Sequence, residues 1–232
     1  MDPLATAACF SDVRPGASLP APQPGVRQPG MPVVYSVQIQ PVGSVTTEFF
    51  ALPPQIRNPV KFPEKTSLLL AAETGRISTV RTLLAHGAHV DLADSYQETA
   101  LIIAATRGYI GIVRTLLEAG ASVNHRSDNG WTALILAAKR GRTAIVKMLI
   151  RAGAGIDQAA DCGGTPLMFA IENKRPLTVD ALVQAGADVN LVDRNGKTAL
   201  MIAQDLGLAD IAQVLRKAGA TDMPPPEKSS LF

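Results

Sequence analysis

The chain has 232 residues, enough for one or two domains, of which 47% are hydrophobic, 18% charged and only 4% aromatic. A core so poor in aromatics must be aliphatic and alanine-rich, which suits closely packed helices better than a β-sandwich. The 22 basic and 20 acidic residues leave a formal charge of +2, which argues against nucleic-acid or membrane binding by bulk electrostatics but not against a local charged patch.

Residues 1–63 read as a disordered, proline-rich arm. Twelve of the seventeen prolines fall within residues 1–65, and "RPGASLPAPQPGVRQPGMP" cannot keep a helix or a central strand, since each proline removes a backbone donor and restricts its predecessor. A disordered or polyproline-like arm is expected. Inside it, Val33 to Gln40 alternates apolar and polar residues like a short strand; with no sheet partner it reads as an extended linear segment. The start, "MDPLATAACFSDVRPG", carries Asp2 and Pro3 where a secretory leader carries lysines. No apolar run approaches the roughly 20 residues of a membrane span. Cys9 and Cys162 sit in contexts too different for a disulfide framework. A soluble intracellular chain is expected, in the cytoplasm and with the nucleus as a second location. Between residues 46 and 63, Phe49, Phe50, Leu52, Ile56 and Phe62 supply an apolar segment. It is expected to fold over the adjoining "TSLLLAAETG", which opens with no polar outer face.

From 64 to 222 the text repeats itself. Threonine recurs at Thr66, Thr99, Thr132, Thr165 and Thr198, and a Gly-Ala pair at Gly87, Gly120, Gly153, Gly186 and Gly219, both series keeping one constant interval. Two landmarks locked through five copies (66–97, 98–130, 131–163, 164–196 and 197–222) mark a stacked array. In each copy the threonine hydroxyl suits the cap of a first helix, whose apolar residues in the second copy are Leu101, Ile103 and Ala104. Gly75, Gly108, Gly141 and Gly207 end that helix, glycine reaching the left-handed conformation without a Cβ clash. A second helix comes next, with Ile112, Val113, Leu116 and Leu117 in one stripe. The Gly-Ala pair ends it, and a loop rich in Asn, Asp, Ser and Gly leads to the next copy.

"GWTALILAAKRGRTAIVKMLIRAGAGID" and "GGTPLMFAIENKRPLTVDALVQAGADVNLVDRNG" resemble ankyrin repeats, whose text is G-x-T-P-L-H-x-A-A-x-x-G-H, then I-V-x-x-L-L, then G-A-D-V-N. The resemblance implies an all-α solenoid of stacked antiparallel helix pairs, with loops projecting as β-hairpin fingers. It also implies protein binding and no shared catalytic activity. The departures carry expectations of their own. The histidine of T-P-L-H is replaced by Leu69, Ile102, Ile135, Met168 and Met201, which makes that layer apolar, and the proline survives once, as Pro166. Lys174 stands where glycine ends the first helix, at a cost of about 1 kcal/mol if it is forced left-handed, and Pro176 suits the first turn of the next helix. The fourth copy is therefore expected to be the most distorted. Gln97 takes the slot of Gly130, Gly163 and Gly196, so that turn is expected to be looser.

Motifs that hint at chemistry dissolve on the repeat grid. "RNGKT" holds a Gly-Lys-Thr triplet, but a phosphate loop needs a second glycine five residues before Gly196, where Leu191 stands. His86 and His89 straddle Gly87 with no third ligand nearby in sequence. Cys162 and His125 lie on adjacent fingers, with nothing to lower a thiol pKa or form an oxyanion site. No catalytic residue, metal or cofactor is expected. Asn124 and Asn190 read as loop hydrogen-bonding residues.

A repeat stack leaves a long concave platform, roughly 40–50 Å for five copies. By resemblance, partners touch the finger tips and the last turn of each first helix. The candidate partner-binding residues are Tyr96, Asp128, Trp131, Arg194 and Lys197 on the fingers and Arg107, Lys139 and Arg140 at the helix ends. Trp131 lies beside Arg107, Lys139 and Arg140, with Tyr96 one finger away. That suggests an aromatic–basic patch, flanked by Glu73 and Glu172, for an acidic or phosphorylated segment. The alternative is that Trp131 packs on the neighbouring finger while the charges keep the face soluble. Changing Trp131, Lys139 and Arg140 together to alanine is expected to abolish the main interaction without unfolding the chain. The tail, 223–232, leaves through three prolines and ends Ser230-Leu231-Phe232, a form resembling a PDZ-domain ligand. Pro29 to Pro32 gives one P-x-x-P, with Arg27 out of register for an SH3 ligand. The function expected is a monomeric, non-catalytic adaptor that binds a protein partner, with no direct nucleic-acid contact and no membrane insertion. The alternative is a regulatory subunit or inhibitor occluding a partner enzyme or transcription factor.

Overall fold

A computed structural model describes residues 66–221, all within the unit Pro59–Phe232. The N-terminal arm with Cys9, the Val33 to Gln40 stretch, the Pro29 to Pro32 motif, the apolar 46–63 segment and the tail with Ser230-Leu231-Phe232 lie outside the described residues. Among the described residues ten helices succeed one another in five pairs: α1 (Ser67–Glu73) with α2 (Ile77–Ala85), α3 (Ala100–Arg107) with α4 (Ile110–Glu118), α5 (Ala133–Lys139) with α6 (Thr143–Arg151), α7 (Pro166–Glu172) with α8 (Pro176–Gln184), and α9 (Ala199–Asp205) with α10 (Ala209–Lys217). Each first helix packs on the first helix of the next copy and each second helix on the next second helix, which gives two layers. Contacts run between neighbouring copies, the arrangement of a repeat solenoid.

Local chemistry accounts for each boundary. Thr66, Thr99, Thr132, Thr165 and Thr198 sit in extended backbone, and their hydroxyls accept from the amides of Leu69, Ile102, Ile135, Met168 and Met201. That satisfies one orphan donor per helix. Gly75, Gly108, Gly141 and Gly207 all take positive φ, between 67° and 90°. The second helices close with a paired hydrogen bond: the Gly120 amide donates to Leu117 O and the Ala121 amide to Leu116 O, a pattern recurring at Ala88, Ala154, Ala187 and Ala220.

The two non-glycine substitutes do not distort the array as expected. Lys174 takes φ 54° and Gln97 φ 57°, the left-handed region that glycine fills in the sister copies. Helix α7 has seven residues and α8 nine, the lengths of their counterparts α9 and α10. The Gln97 amide donates to Asp94 O at 3.0 Å, as Gly196 does to Asp193 O at 3.0 Å, so the first finger turns as tightly as the last. Packing from both neighbouring copies overrides a backbone penalty of about 1 kcal/mol.

The core runs the length of the stack. Leu69, Ile102, Ile135 and Met168, at the family's histidine position, are almost fully buried, with Met201 half-exposed in the last copy. Buried alanines such as Ala104, Ala105, Ala137 and Ala138 let the first helices approach closely. A polar ladder joins the copies on another side. Asp91, Asn124, Asp157 and Asn190, again one per copy, accept through a side-chain oxygen from the amides of Ser122, Gly155, Asp188 and Thr221 at 2.8–3.0 Å. Asn124 and Asn190 also donate to Gly153 O and Gly219 O. The asparagines thus bind the next copy rather than their own loop.

The fingers are tight hairpins. Within them Asp94 N donates to Glu98 O, Ser127 N to Trp131 O, Ala160 N to Gly164 O and Asp193 N to Lys197 O. Between them Asp128 N donates to Tyr96 O, Asp161 N to Asn129 O and Arg194 N to Cys162 O. Their β-character among the described residues amounts to the bridges Ala93 with Thr99 and Val192 with Thr198. No described helix is long and apolar enough to cross a membrane.

Candidate partner-binding site

The first helices stack in register, so their last-turn residues form a column, one per copy at the repeat interval: Glu73, Thr106, Lys139, Glu172 and Asp205. The finger bases lie beside it. At the first step, Arg107 donates to Glu73 Oε1 at 2.9 Å, which joins copies one and two. At the last, Lys197 reaches from its finger to Asp205 Oδ2 at 2.6 Å. That hydrogen bond is the largest influence holding the Lys197 ammonium above its ordinary pKa.

The middle of the column is aromatic. Trp131 and Phe169 meet with ring centroids 4.8 Å apart and planes tilted by 48°. Lys139 Nζ lies 5.0 Å from the centre of the Trp131 ring, within cation–π range. Ile135, Ala160 and Cys162 complete a small apolar cluster around these rings, separate from the main core. Next along, at the end of α7, stands Glu172, whose Oε2 is buried without a hydrogen-bond partner. Burial pushes its pKa up to about 7, and the Asp193 carboxylate adds to the shift; Lys139 and Lys197 pull against it.

The model of the family described as ankyrin repeats matches residues 47–127, 119–193 and 152–223, more than half of the sequence. The chain belongs to the ankyrin repeat family. No curated protein matches it. Ankyrin repeats are protein–protein interaction modules, and repeat proteins of this kind are typically non-catalytic.

Within this ankyrin stack the eight candidate residues separate into three groups. Trp131 and Lys139 come together, and Arg140, the exposed cap of α5, follows Lys139 directly. Arg107 and Lys197 are engaged with Glu73 and Asp205. Tyr96, Asp128 and Arg194 are exposed on the fingers, and their backbones link one finger to the next. Trp131 is half-buried, its ring against Phe169 of α7 and clustered with Ala160 and Cys162 of the next finger. Cys162 is a free thiol packed in the same apolar cluster. The His125 ring contacts Gln97 O at 3.1 Å and the His86 ring Thr82 O at 2.7 Å.

Two participants were hard to see in the sequence. Arg126 donates to both Asp161 Oδ1 and Ala159 O, clamping adjacent fingers. Glu172 appeared there as a last-turn position that partners touch by resemblance and as an acidic flank, with nothing to mark one of its oxygens as buried. The repeat grid does place it in one column with Lys139 and Asp205, with Phe169 one turn earlier, and that register is the signal by which it could have been found.

Proposed function

We propose that this chain is a non-catalytic adaptor of the cytoplasm or nucleus, and that it binds an acidic or phosphorylated segment of a partner protein against the helix ends and finger bases of copies two to four. The supporting observation is the grouping of Trp131, Lys139 and Arg140. A large ring is held in place by Phe169, an ammonium lies over that ring, and an exposed guanidinium is next to it in the chain. Aromatic and arginine side chains on a rigid support lose little entropy on binding and dominate interface energies. Lysine and arginine together recognise carboxylate or phosphoryl oxygens.

The test is affinity capture with mass spectrometry, comparing wild type with Lys139→Ala/Arg140→Ala. Partners retained by the wild type should be lost from the double variant, which should remain folded with a stability loss of under about 1 kcal/mol. Equal recovery from both proteins would remove the basic pair from the interface.

A further inference from the structure

Each helix pair turns at the edge of the stack opposite the fingers, over residues 74–77, 107–110, 140–143, 173–177 and 206–209. These five turns hold six basic residues (Arg76, Arg107, Arg140, Arg142, Lys174 and Arg175) and no acidic one. The four loops that form the fingers, 86–98, 119–131, 152–164 and 185–197, hold eight acidic residues against three arginines and lysines. The formal charge of +2 therefore hides a separation of charge from one edge of the array to the other.

The turns join into one ridge. The side chain that follows each turn glycine lies over the glycine of the copy before. A Cβ on Gly75 would meet Tyr109 Cζ at 2.8 Å, one on Gly108 would meet Arg142 Nε at 2.7 Å, and one on Gly141 would meet Arg175 Cδ at 2.7 Å. Arg107 is paired with Glu73. Arg76, Arg140, Arg142, Lys174 and Arg175 are exposed, and none of the five pairs with an acidic side chain of the described residues. Like charges held this close repel one another, and the fold supplies them no counter-charge. Half of the eight large hydrophobic side chains exposed among the described residues stand on the same edge: Tyr109, Ile110, Leu177 and Leu206, with Leu177 73% exposed.

We propose that this ridge rests on an anionic membrane surface. Its guanidinium and ammonium groups lie among the headgroup anions, and Ile110, Leu177 and Leu206 reach the boundary between headgroups and acyl chains. Charge complementarity calls for a polyanion, and the apolar side chains select among polyanions. A nucleic-acid backbone has no use for exposed aliphatics. A protein partner anchors itself on clustered hot spots, whereas these aliphatics are spread over copies two, four and five between basic groups. A bilayer surface takes such separate side chains one by one, together with the basic groups around them. At about 10 Å per copy the basic ridge is about 30 Å long, so several headgroups meet it at once. The leaflet repels the acidic finger edge, which fixes the orientation with the fingers away from the membrane. No chain crosses the bilayer in this contact.

The test is flotation of the full chain with vesicles of phosphatidylcholine alone or with about 30 mol% phosphatidylserine, in about 0.1 M salt. Wild type should float with the anionic vesicles and not with the neutral ones, and about 1 M salt should release most of it. Arg142→Gln/Lys174→Gln/Arg175→Gln should lower the partition coefficient about a hundredfold, at roughly fivefold for each basic residue near an anionic leaflet. Leu177→Ser, an exposed position, should lower it about tenfold and leave its salt dependence unchanged. Arg194→Gln/Lys197→Gln, on the finger edge, should float as wild type does. Circular dichroism melts confirm that each variant is folded. No flotation of wild type with anionic vesicles overturns the proposal, as does equal flotation of wild type and the ridge triple variant. An equal loss in the finger-edge variant would mean that overall charge, not the ridge, is read. Binding of octaglutamate or single-stranded DNA that the triple variant loses, with no vesicle binding by wild type, would assign the ridge to a soluble polyanion instead.

Discussion

Lys139 Nζ lies 5.0 Å from the centre of the Trp131 ring, and the same ring meets Phe169 at 4.8 Å. One side chain from a finger base therefore ties together the end of α5 and the middle of α7, while keeping part of its surface exposed. Trp131 is both packing and surface, and removing it affects both.

Trp131→Ala should cost about 2–3 kcal/mol, since it opens a hole beside Phe169, Ile135 and Cys162. Lys139→Ala should cost under about 1 kcal/mol, the worth of an exposed cation–π contact. The triple alanine variant of Trp131, Lys139 and Arg140 should then melt below wild type while still folding. Urea denaturation of the three variants checks this; a Trp131→Ala midpoint equal to wild type would show that the ring carries no packing.

Glu172 makes stability depend on pH. Its folded pKa of about 7 lies above the ordinary 4.5, so between those values the folded chain holds a proton that the unfolded chain has released. The sign is therefore negative: stability is highest below about 4.5 and falls as pH rises through 7. Glu172→Gln keeps the neutral form and should be more stable than wild type by about 1–2 kcal/mol at pH 8, allowing for solvent screening, with the gap closing toward pH 4.5. Chemical denaturation at the two pH values tests it; a gap of the same size at both would sink the assignment.

Lys174 holds a φ of 54° that glycine adopts without strain. Lys174→Gly should raise stability by about 0.5–1 kcal/mol. Gly108→Ala should do the opposite, since its φ is 90° and a Cβ there would lie 2.7 Å from Arg142 Nε. Thermal melts of the pair should move in opposite directions.

Asn124 bonds both the amide of Gly155 and the carbonyl of Gly153 in the following copy. Asn124→Ala should cost about 1 kcal/mol, because the exposed partners recover water. In a one-dimensional stack that loss falls on a single interface. Amide exchange should quicken around copies two and three more than at either end; a uniform change along the chain would contradict a local interface bond.

The family match begins at residue 47, ahead of α1. Leu70 of α1 is 53% exposed. Deleting residues 1–62 should lower the melting temperature. An unchanged melt would show that the first copy stands without it.

Most of the fold was legible from the sequence because it is made of local decisions made again in every copy. A threonine hydroxyl reaches an amide three residues on, a glycine adopts positive φ, and an apolar stripe returns every turn; these act within one copy. Even the tolerance of Lys174 and Gln97 is a matter of neighbours, however, and there the local penalty misled. The site depended on tertiary structure almost wholly. Arg107 meets Glu73, Lys139 meets Trp131 of its own copy, and Arg126 meets Asp161 of the next, all through long side chains whose partners no periodicity names. The repeat grid determined that Glu172 stands in a column with Lys139 and Asp205. Only the packing of α7 between its neighbours decided that one carboxylate oxygen is buried without a donor, because desolvation depends on everything around a group and not on its place in the repeat.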